Sequence, residues 1–372
     1  MTSNEDHGYM ARTLQLARRG VYTTDPNPRV GCMVVKEGRV LAEAWHVRCG
    51  EPHAEVLALR QAGTAARGAT LYVNLEPCCH QGRTPPCTDP IIDAGIARVV
   101  AAVEDPNPNV SRGGIDTLRS VGIDVDVGLM KREAEFLNRG FLKRMRDGVP
   151  WVTVKIAASL DGRTATASGE SKWITGAAAR ADVHKLRARS SAILTGIGTI
   201  EADDPELTVR LEKAGRQPVR IVVDSRLRMS ERARVFANPG AVLVAAAISD
   251  PERAARLSEA DADVMVVPGA DGQVDLPGLM RELGRREINE LLVEAGPTLS
   301  GALLGAGLVD ELVIYLAPQL LGSDARGMAT VPGLDRLDQR IELELKDVRM
   351  LDRDLKMVMA PISSVVHGDQ RR

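Results

Sequence analysis

Short apolar runs alternate with amphipathic stretches along almost all of this 372-residue chain, and the alternation starts afresh once, near Gly148. Such a pattern specifies strands covered by helices, which restricts the fold to α/β layers around a largely parallel sheet. In the first half, "SNEDHGYMARTLQLARRG" reads as a capped helix stopped by Gly20, and "GCMVVKEGRVLAEAW" as a hairpin turning at Glu37-Gly38. "EPHAEVLALRQAG" is a helix that Gly63 ends, "ATLYVNLEP" a strand, and "KREAEFLNRGFLKRMRDG" one long helix. After "RDGVPWVTVKI" the strands and helices resume, and the chain closes with the antiparallel pair "IELELKDVRMLDRDLKMVMAP" and a polar tail. At this length two domains are expected, because a single core stops growing well before it could enclose such a chain.

Composition narrows the function classes. Formal net charge is -2 and aromatic residues are only 3%, so neither the basic face nor the stacking platforms of a nucleic-acid binder are present in the sequence. No apolar run approaches the ~18–20 residues that span a bilayer, and the polar start "MTSNEDHGYM" is not a signal peptide. These features predict a cytoplasmic protein whose cysteines stay reduced, so crowded cysteines point to metal or catalysis rather than to disulfides. A small, phosphorylated substrate is the expected partner.

The crowding lies in "LEPCCHQGRTPPC", Leu75 to Cys87, which holds three of the five cysteines and one of the six histidines. A catalytic zinc takes three protein ligands and keeps a fourth position for water. The candidate ligands are His53, Cys78, Cys79, His80 and Cys87. Cys78 is expected at a helix start, where the dipole favours a thiolate, and Cys87 sits in "TPPC" before the helical "TDPIIDAG". Glu55 follows His53 by two residues. In mid-helix that spacing would send the two side chains to opposite faces. It serves one site only if His53 stands at the helix mouth and Glu55 leans in from the first turn, facing the water without ligating. Cys32 and Cys49, in or beside strands, read as structural. A disulfide between the adjacent Cys78 and Cys79 would be strained.

"HAE" and "PC" match the H-x-E and P-C parts of the signature of zinc-dependent nucleobase deaminases, but eight residues rather than two separate Cys78 from Cys87. That departure sets aside generic nucleoside and tRNA deaminases. "HAEVLAL" followed by "LYVNLEPCCHQGRTPPC" resembles the deaminase half of the bifunctional riboflavin-biosynthesis deaminase–reductases. The resemblance implies a cytidine-deaminase-like three-layer α/β/α domain over residues 1–147, one Zn2+ on His53, Cys78 and Cys87, and Glu55 as the catalytic acid and base. The family places its ligand directly after Pro77, which is Cys78; its usual following serine is Cys79 here. "TTDPNPRVG" is similar to the loop that enters the family's first strand, where Asn27 would line the base pocket, although a Pro-rich turn needing Asn reads almost as well.

In the second half no G-x-G-x-x-G and no Walker motif occurs. "VEAGPTLSGALL" places Gly296, Pro297 and Thr298 between a strand and a helix, where free N–H groups favour a phosphate. "KIAASLDGRTA", "SGESKWIT", "LRARSSAILTGIGTI" and "ADDPELTVR" resemble the reductase half of the same family. Together the two resemblances cover about residues 5 to 360. The second implies a dihydrofolate-reductase-like α/β domain over 148–366, followed by the tail 367–372. It implies NADPH/NADP+ as cofactor on Ala157, Trp173, Thr199, Asp203, Ser225, Gly296, Pro297 and Thr298. It also implies substrate contacts at Ser171, Arg187, Leu207, Arg210 and Glu294, with Arg187 and Arg210 suited to hold a phosphate by forked bonds. Lys155 would stand near the sugar, and Arg180, Arg189 and Arg220 read as ordinary surface charge. A homo-oligomer, free of nucleic acid and membrane, is expected. The reactions implied are hydrolytic deamination of diaminohydroxy-phosphoribosylamino-pyrimidine and reduction of the product's ribosyl group to ribityl.

Overall fold

The computed structural model describes residues 3–82, 85–107, 110, 112–212 and 215–362; the tail expected at 367–372 lies outside the described residues. The chain divides into two compact units, Met1–Val149 and Pro150–Arg372. Among the described residues no helix is long and apolar enough to cross a membrane.

In the first unit α1 (Asn4–Ala17) starts at a capping box, in which Ser3 Oγ accepts from the Asp6 N–H and the Asp6 carboxylate accepts from the Ser3 N–H. The hairpin β1 (Gly31–Lys36) and β2 (Arg39–Trp45) turns through Glu37 and Gly38, both at positive φ (50° and 76°), the geometry that matches strand twist. Then come α2 (Ala54–Ala62), β3 (Thr70–Val73), α3 (Thr88–Asp93), β4 (Arg98–Ala101), α4 (Gly113–Ser120), β5 (Asp124–Val127), α5 (Lys131–Leu137) and α6 (Arg139–Asp147). The sheet order is β2-β1-β3-β4-β5, antiparallel in its first two pairings and parallel in its last two. Alternate strand residues feed two cores: Cys32, Val34, Leu71 and Val99 face Ala58 of α2, Ile91 of α3 and Leu118 of α4, while Met33, Val35, Tyr72 and Val100 face Met10 and Leu14 of α1 and Phe141 of α6. Three layers result.

The single long helix expected over 131–148 is two helices, broken at Asn138 (φ -108°, ψ 18°). Asn138 turns its amide onto the backbone of Arg29, accepting from its N–H at 2.8 Å and donating to its carbonyl at 3.0 Å. That cyclic pair takes the place of a strand neighbour for the loop entering β1, and a continuous helix could not present it.

The second unit holds β6 (Trp151–Ser159), β7 (Arg163–Ala165), α7 (Ala177–Arg189), β8 (Ala192–Gly196), α8 (Ile197–Asp203), β9 (Val219–Val223), β10 (Val242–Ala246), α9 (Pro251–Glu259) and β11 (Ala262–Val266). It continues with α10 (Leu276–Arg285), β12 (Glu290–Val293), α11 (Pro297–Gly305), β13 (Glu311–Ala317), β14 (Arg326–Gly327), β15 (Leu343–Leu351) and β16 (Asp354–Pro361). Nine strands run β11-β10-β9-β8-β12-β6-β13-β16-β15, parallel through β13 and antiparallel across the final hairpin. β7 and β14 pair separately. The central strands are buried on both faces, which explains their unbroken apolar runs. Arg220, read from sequence as surface charge, is only 1% exposed for the same reason: β9 has no outward face. Its guanidinium donates to the carbonyls of Val235, Asn238 and Gly240, so it closes a loop instead. Arg189 is also tied down, by Glu290 at 2.8 Å.

Asn138→Ala removes the acceptor of the buried Arg29 N–H and is expected to destabilise the first unit by about 2 kcal/mol. Denaturant unfolding of the full chain measures this; a change under about 0.5 kcal/mol would mean that the helix break owes nothing to the amide.

Candidate functional site

His53 is the N-cap of α2, with extended backbone (φ -69°, ψ 162°), and Glu55 occupies the first turn. The side chains therefore diverge less than mid-helix spacing would dictate. Cys87 is the N-cap of α3. Cys78 does not open a helix, contrary to expectation; it lies in irregular chain after β3. Its carbonyl accepts the N–H groups of Cys87 (2.9 Å) and Thr88 (3.2 Å), so the excursion between the two cysteines returns to its starting point. The strand exit is held by Glu76, whose carboxylate accepts from the N–H groups of Asp105, Arg112, Gly114 and Ile115 at 3.0–3.2 Å. Gly114 is required there, because a Cβ would sit 1.9 Å from the Pro77 carbonyl oxygen.

These elements gather ligand atoms of His53, Cys78 and Cys87 within 4.8 Å of one another. His53 Nδ1 lies 3.2 Å from Cys87 Sγ and 3.6 Å from Cys78 Sγ. Tetrahedral zinc sets its nitrogen and sulfur ligands about 3.6 Å apart. Donor set and spacing both fit zinc. Cys79 Sγ points away, 3.9 Å from the Val110 carbonyl, and His80 lies outside the group. The hydrogen bond from Cys87 pushes the Cys78 thiol down against the opposing effect of burial, with His53 adding to the fall; the same bond drives Cys87 up. The bond from Cys87, with His53 beside it, thus favours a thiolate at Cys78 in spite of burial. Glu55 is 3% exposed, burial raises its carboxyl, and its Oε2 has no hydrogen-bond partner. A buried, unpartnered carboxylate oxygen beside three ligands is suited to a water or an amine that it would bond.

Next to this group stands His46, which sequence reasoning passed over. Its ring meets that of His53 edge-on at 5.2 Å, its Nε2 lies 3.1 Å from Asn27 Nδ2, and its Nδ1 lies 3.2 Å from the Pro52 carbonyl. Asn27 thus touches His46, which in turn packs against the candidate ligand His53.

In the second unit the named residues collect at the carboxyl ends of neighbouring strands, where open α/β sheets bind ligands. Thr199 and Asp203 follow β8, Ser225 follows β9, and Glu294, Gly296, Pro297 and Thr298 follow β12. Lys155 and Ala157 share one face of β6, the next strand. A Cβ on Gly296 would lie 4.0 Å from Thr199 Oγ1, so those two approach closely. Ser171 Oγ donates to Asp203 at 3.3 Å. Trp173 is 69% exposed, with the Arg180 guanidinium 4.6 Å above its ring. Ser225 is engaged by Gln273 (3.1 Å) and the Val274 N–H (3.3 Å).

Glu294 anchors the other group. Arg187 grips it through Nε (2.6 Å) and Nη2 (3.1 Å), and Lys155 Nζ lies 3.4 Å away. Burial alone would raise this carboxyl, but Arg187 and then Lys155 outweigh it and hold Glu294 down to about 2. Arg187 also donates through Nη1 to the Thr208 carbonyl, which leaves two of its five N–H groups for a ligand. Leu207 is buried at a φ of 52°, and Arg210 is the exposed arginine of the set.

The chain matches two families: one described as the cytidine and deoxycytidylate deaminase zinc-binding region, over residues 3–103, and one described as the RibD C-terminal domain, over residues 150–357. It is 52% identical over 363 residues to the riboflavin biosynthesis protein RibD of Escherichia coli strain K12, covering 94% of this chain and 98% of that one. To the RibD protein of Haemophilus influenzae it is 46% identical over 377 residues, covering 96% and 98%. Among solved structures it is similar to Acinetobacter baumannii RibD, with a TM-score of 0.90, 43% identity and coverage of 96% of this chain and 99% of that one.

Purified protein is expected to carry about one zinc per chain. Cys78→Ser and Cys87→Ser should lose it and Cys79→Ser should keep it, as read by elemental analysis; loss in the Cys79 variant would reassign the ligand.

Proposed function

The chain belongs to the family of bifunctional deaminase–reductases of riboflavin biosynthesis, and from that premise we propose which side chains carry each reaction. It is an enzyme with two activities, zinc-dependent deamination of diaminohydroxy-phosphoribosylamino-pyrimidine and NADPH-dependent reduction of the resulting ribosyl chain to ribityl. Its first domain, residues 1–147, is assigned the deamination, and residues 148–366 the reduction.

His53 through Nδ1, Cys78 and Cys87 hold the metal. Bound there, zinc supplies the Lewis acidity that lets water ionise near neutral pH. Glu55 moves the protons: its buried carboxylate accepts one from water and delivers it to a ring nitrogen, then takes the second from the hydroxyl added to carbon and passes it to the amine, which departs as ammonia while the carbonyl forms. His46, edge-on against His53, and Asn27, which His46 contacts, are assigned to border the space for the pyrimidine. The observation that carries this assignment is the convergence of one nitrogen and two sulfurs beside a buried carboxylate oxygen that nothing else satisfies.

In the reductase, NADPH supplies a hydride for C1′ of the ribose when bound. Thr199, Asp203, Ser225, Gly296, Pro297 and Thr298, beyond the carboxyl ends of β8, β9 and β12, are assigned to hold it, together with Ala157 on β6 and Trp173 in the loop between β7 and α7. Glu294, kept ionised by Arg187 and Lys155, accepts from the sugar hydroxyls. Lys155, its charge balanced by Glu294, donates to the ribose oxygen that leaves carbon as the ring opens. Arg210 reaches the phosphate, Arg187 offers its two remaining N–H groups, and Ser171 and Leu207 complete the substrate side.

We further assign self-association to the hairpin β15–β16 and locate the protein in the cytoplasm, where a pair of thiolate ligands stays reduced. An irregularity between Leu345 and Asp347 shifts the strand's phase by one residue. The shift puts Leu343 and Leu345 on the same face as Val348 and Met350, across from Met359, Met357 and Leu355. Leu345 is 56% and Met350 63% exposed. An apolar face of this continuity suits a second copy of the same chain, because the hairpin's flanking charges already pair internally, Lys346 with Glu344 and Arg349 with Asp347.

Glu55→Gln is expected to lower deamination about a thousandfold while zinc content and NADPH oxidation on the deaminated substrate stay unchanged; retention of deamination would remove Glu55 from the chemistry. Leu345→Asp combined with Met350→Lys should yield monomers in sedimentation velocity, and an unchanged species would move the contact elsewhere.

A further inference from the structure

The segment Leu207–Arg210 runs between α8 and the approach to β9 without belonging to a strand, and among the described residues its backbone bonds to no other backbone group. Leu207, Thr208 and Val209 are nonetheless buried, so their polar groups need partners. Side chains supply them. Arg187 Nη1 donates to the Thr208 carbonyl at 2.9 Å, and the Arg210 N–H donates to His184 Nδ1 at 3.3 Å. Between these, one amide takes both groups of Val209: Gln217 Oε1 accepts its N–H at 2.8 Å, and Gln217 Nε2 donates to its carbonyl at 3.1 Å. The amide closes the ring of two bonds that a neighbouring strand would have closed.

We propose that Gln217 is a positioning residue of the reductase, whose amide clamp on Val209 delivers the adjoining Arg210 to the substrate's phosphate. The proposal rests on the assignment of Arg210 to that phosphate. Arg210 needs such help, because its guanidinium is 63% exposed and only loosely paired with Glu206 at 3.6 Å. Its place is therefore set by its backbone rather than by its own contacts. Leu207, locked in the core at positive φ, fixes one end of the segment, and the clamp fixes the end that bears the arginine. Gln217 is itself an exposed residue, so removing its amide strips no apolar contact from the core. What it removes is the acceptor for a buried N–H and the geometry that this bond enforces.

Gln217→Met keeps the length of the side chain and deletes both polar atoms. In the full-length enzyme it is expected to raise KM for the deaminated, phosphorylated pyrimidine about tenfold, equivalent to about 1.4 kcal/mol, with kcat changed less than about twofold. NADPH affinity, read by fluorescence titration, and deamination by the same chain should not move. Gln217→Glu, which retains the acceptor alone, should fall between. Arg210→Ala should raise KM too, and adding Gln217→Met to it should have almost no further effect, because both act through one guanidinium. A normal KM in the Gln217 variants beside a raised KM in Arg210→Ala overturns the clamp alone. So does a fully additive double variant, or a loss confined to kcat. A normal KM in Arg210→Ala overturns the premise about the phosphate, and the clamp's role falls with it.

Discussion

Four backbone N–H groups converge on the carboxylate of Glu76, and the candidate metal centre is suspended from that point. Two residues later the chain must present Cys78 to His53 and Cys87, yet it has left β3 and has not entered a helix. Without a fixed strand exit the sulfur would sample many positions. The carboxylate, joined to the chain around Asp105 and to the start of α4, removes that freedom. It also explains why glycine occurs at 114, where the Pro77 carbonyl presses against the helix backbone.

A related device recurs wherever a loop that matters lacks a strand beside it. Asn138 pairs with the backbone of Arg29, and Asn74 adds a second amide there, donating to the Arg29 carbonyl at 2.9 Å and accepting from the Gly31 N–H at 2.8 Å. Gln217 does the same for Val209 in the second unit. Side-chain amides carry the donor and acceptor of a peptide group without its continuity along the chain. They can therefore imitate a strand for a single residue, which fixes a loop without extending the sheet.

Much of the architecture was legible because it follows from periodicity. Strand and helix patterns in alternation pointed to a sheet covered on both faces, and turn residues such as Glu37-Gly38 marked where strands end. Residue type offered five candidate ligands, His53, Cys78, Cys79, His80 and Cys87, with the requirement that His53 stand at a helix mouth; the family resemblance implied which three of them would serve. What escaped depends on partners remote in sequence. Asn138 breaks a helix because of a loop 109 positions away, and nothing local marks it. Glu76 and Gln217 bind backbone groups, which carry no residue identity for a motif to record. The helix start expected at Cys78 fails because the clamp at Glu76 dictates the path there. Arg220 misled because a charged residue in an apolar run implies an outer face, and β9 has none.

The bond from the Cys87 N–H to the Cys78 carbonyl bears on how such centres should be recognised. It joins the ends of the excursion, so the metal senses two sulfurs brought side by side and is indifferent to the contour length between them. Going from two intervening residues to eight adds two doublings of loop length, about 1.2 kcal/mol of closure entropy, small beside the ~10–16 kcal/mol with which thiolate-rich sites take up zinc. Spacing between ligands is then a nearly free variable on which lineages can drift apart while the centre is preserved. A search keyed to one fixed interval would overlook this chain; one keyed to how the ends meet would find it.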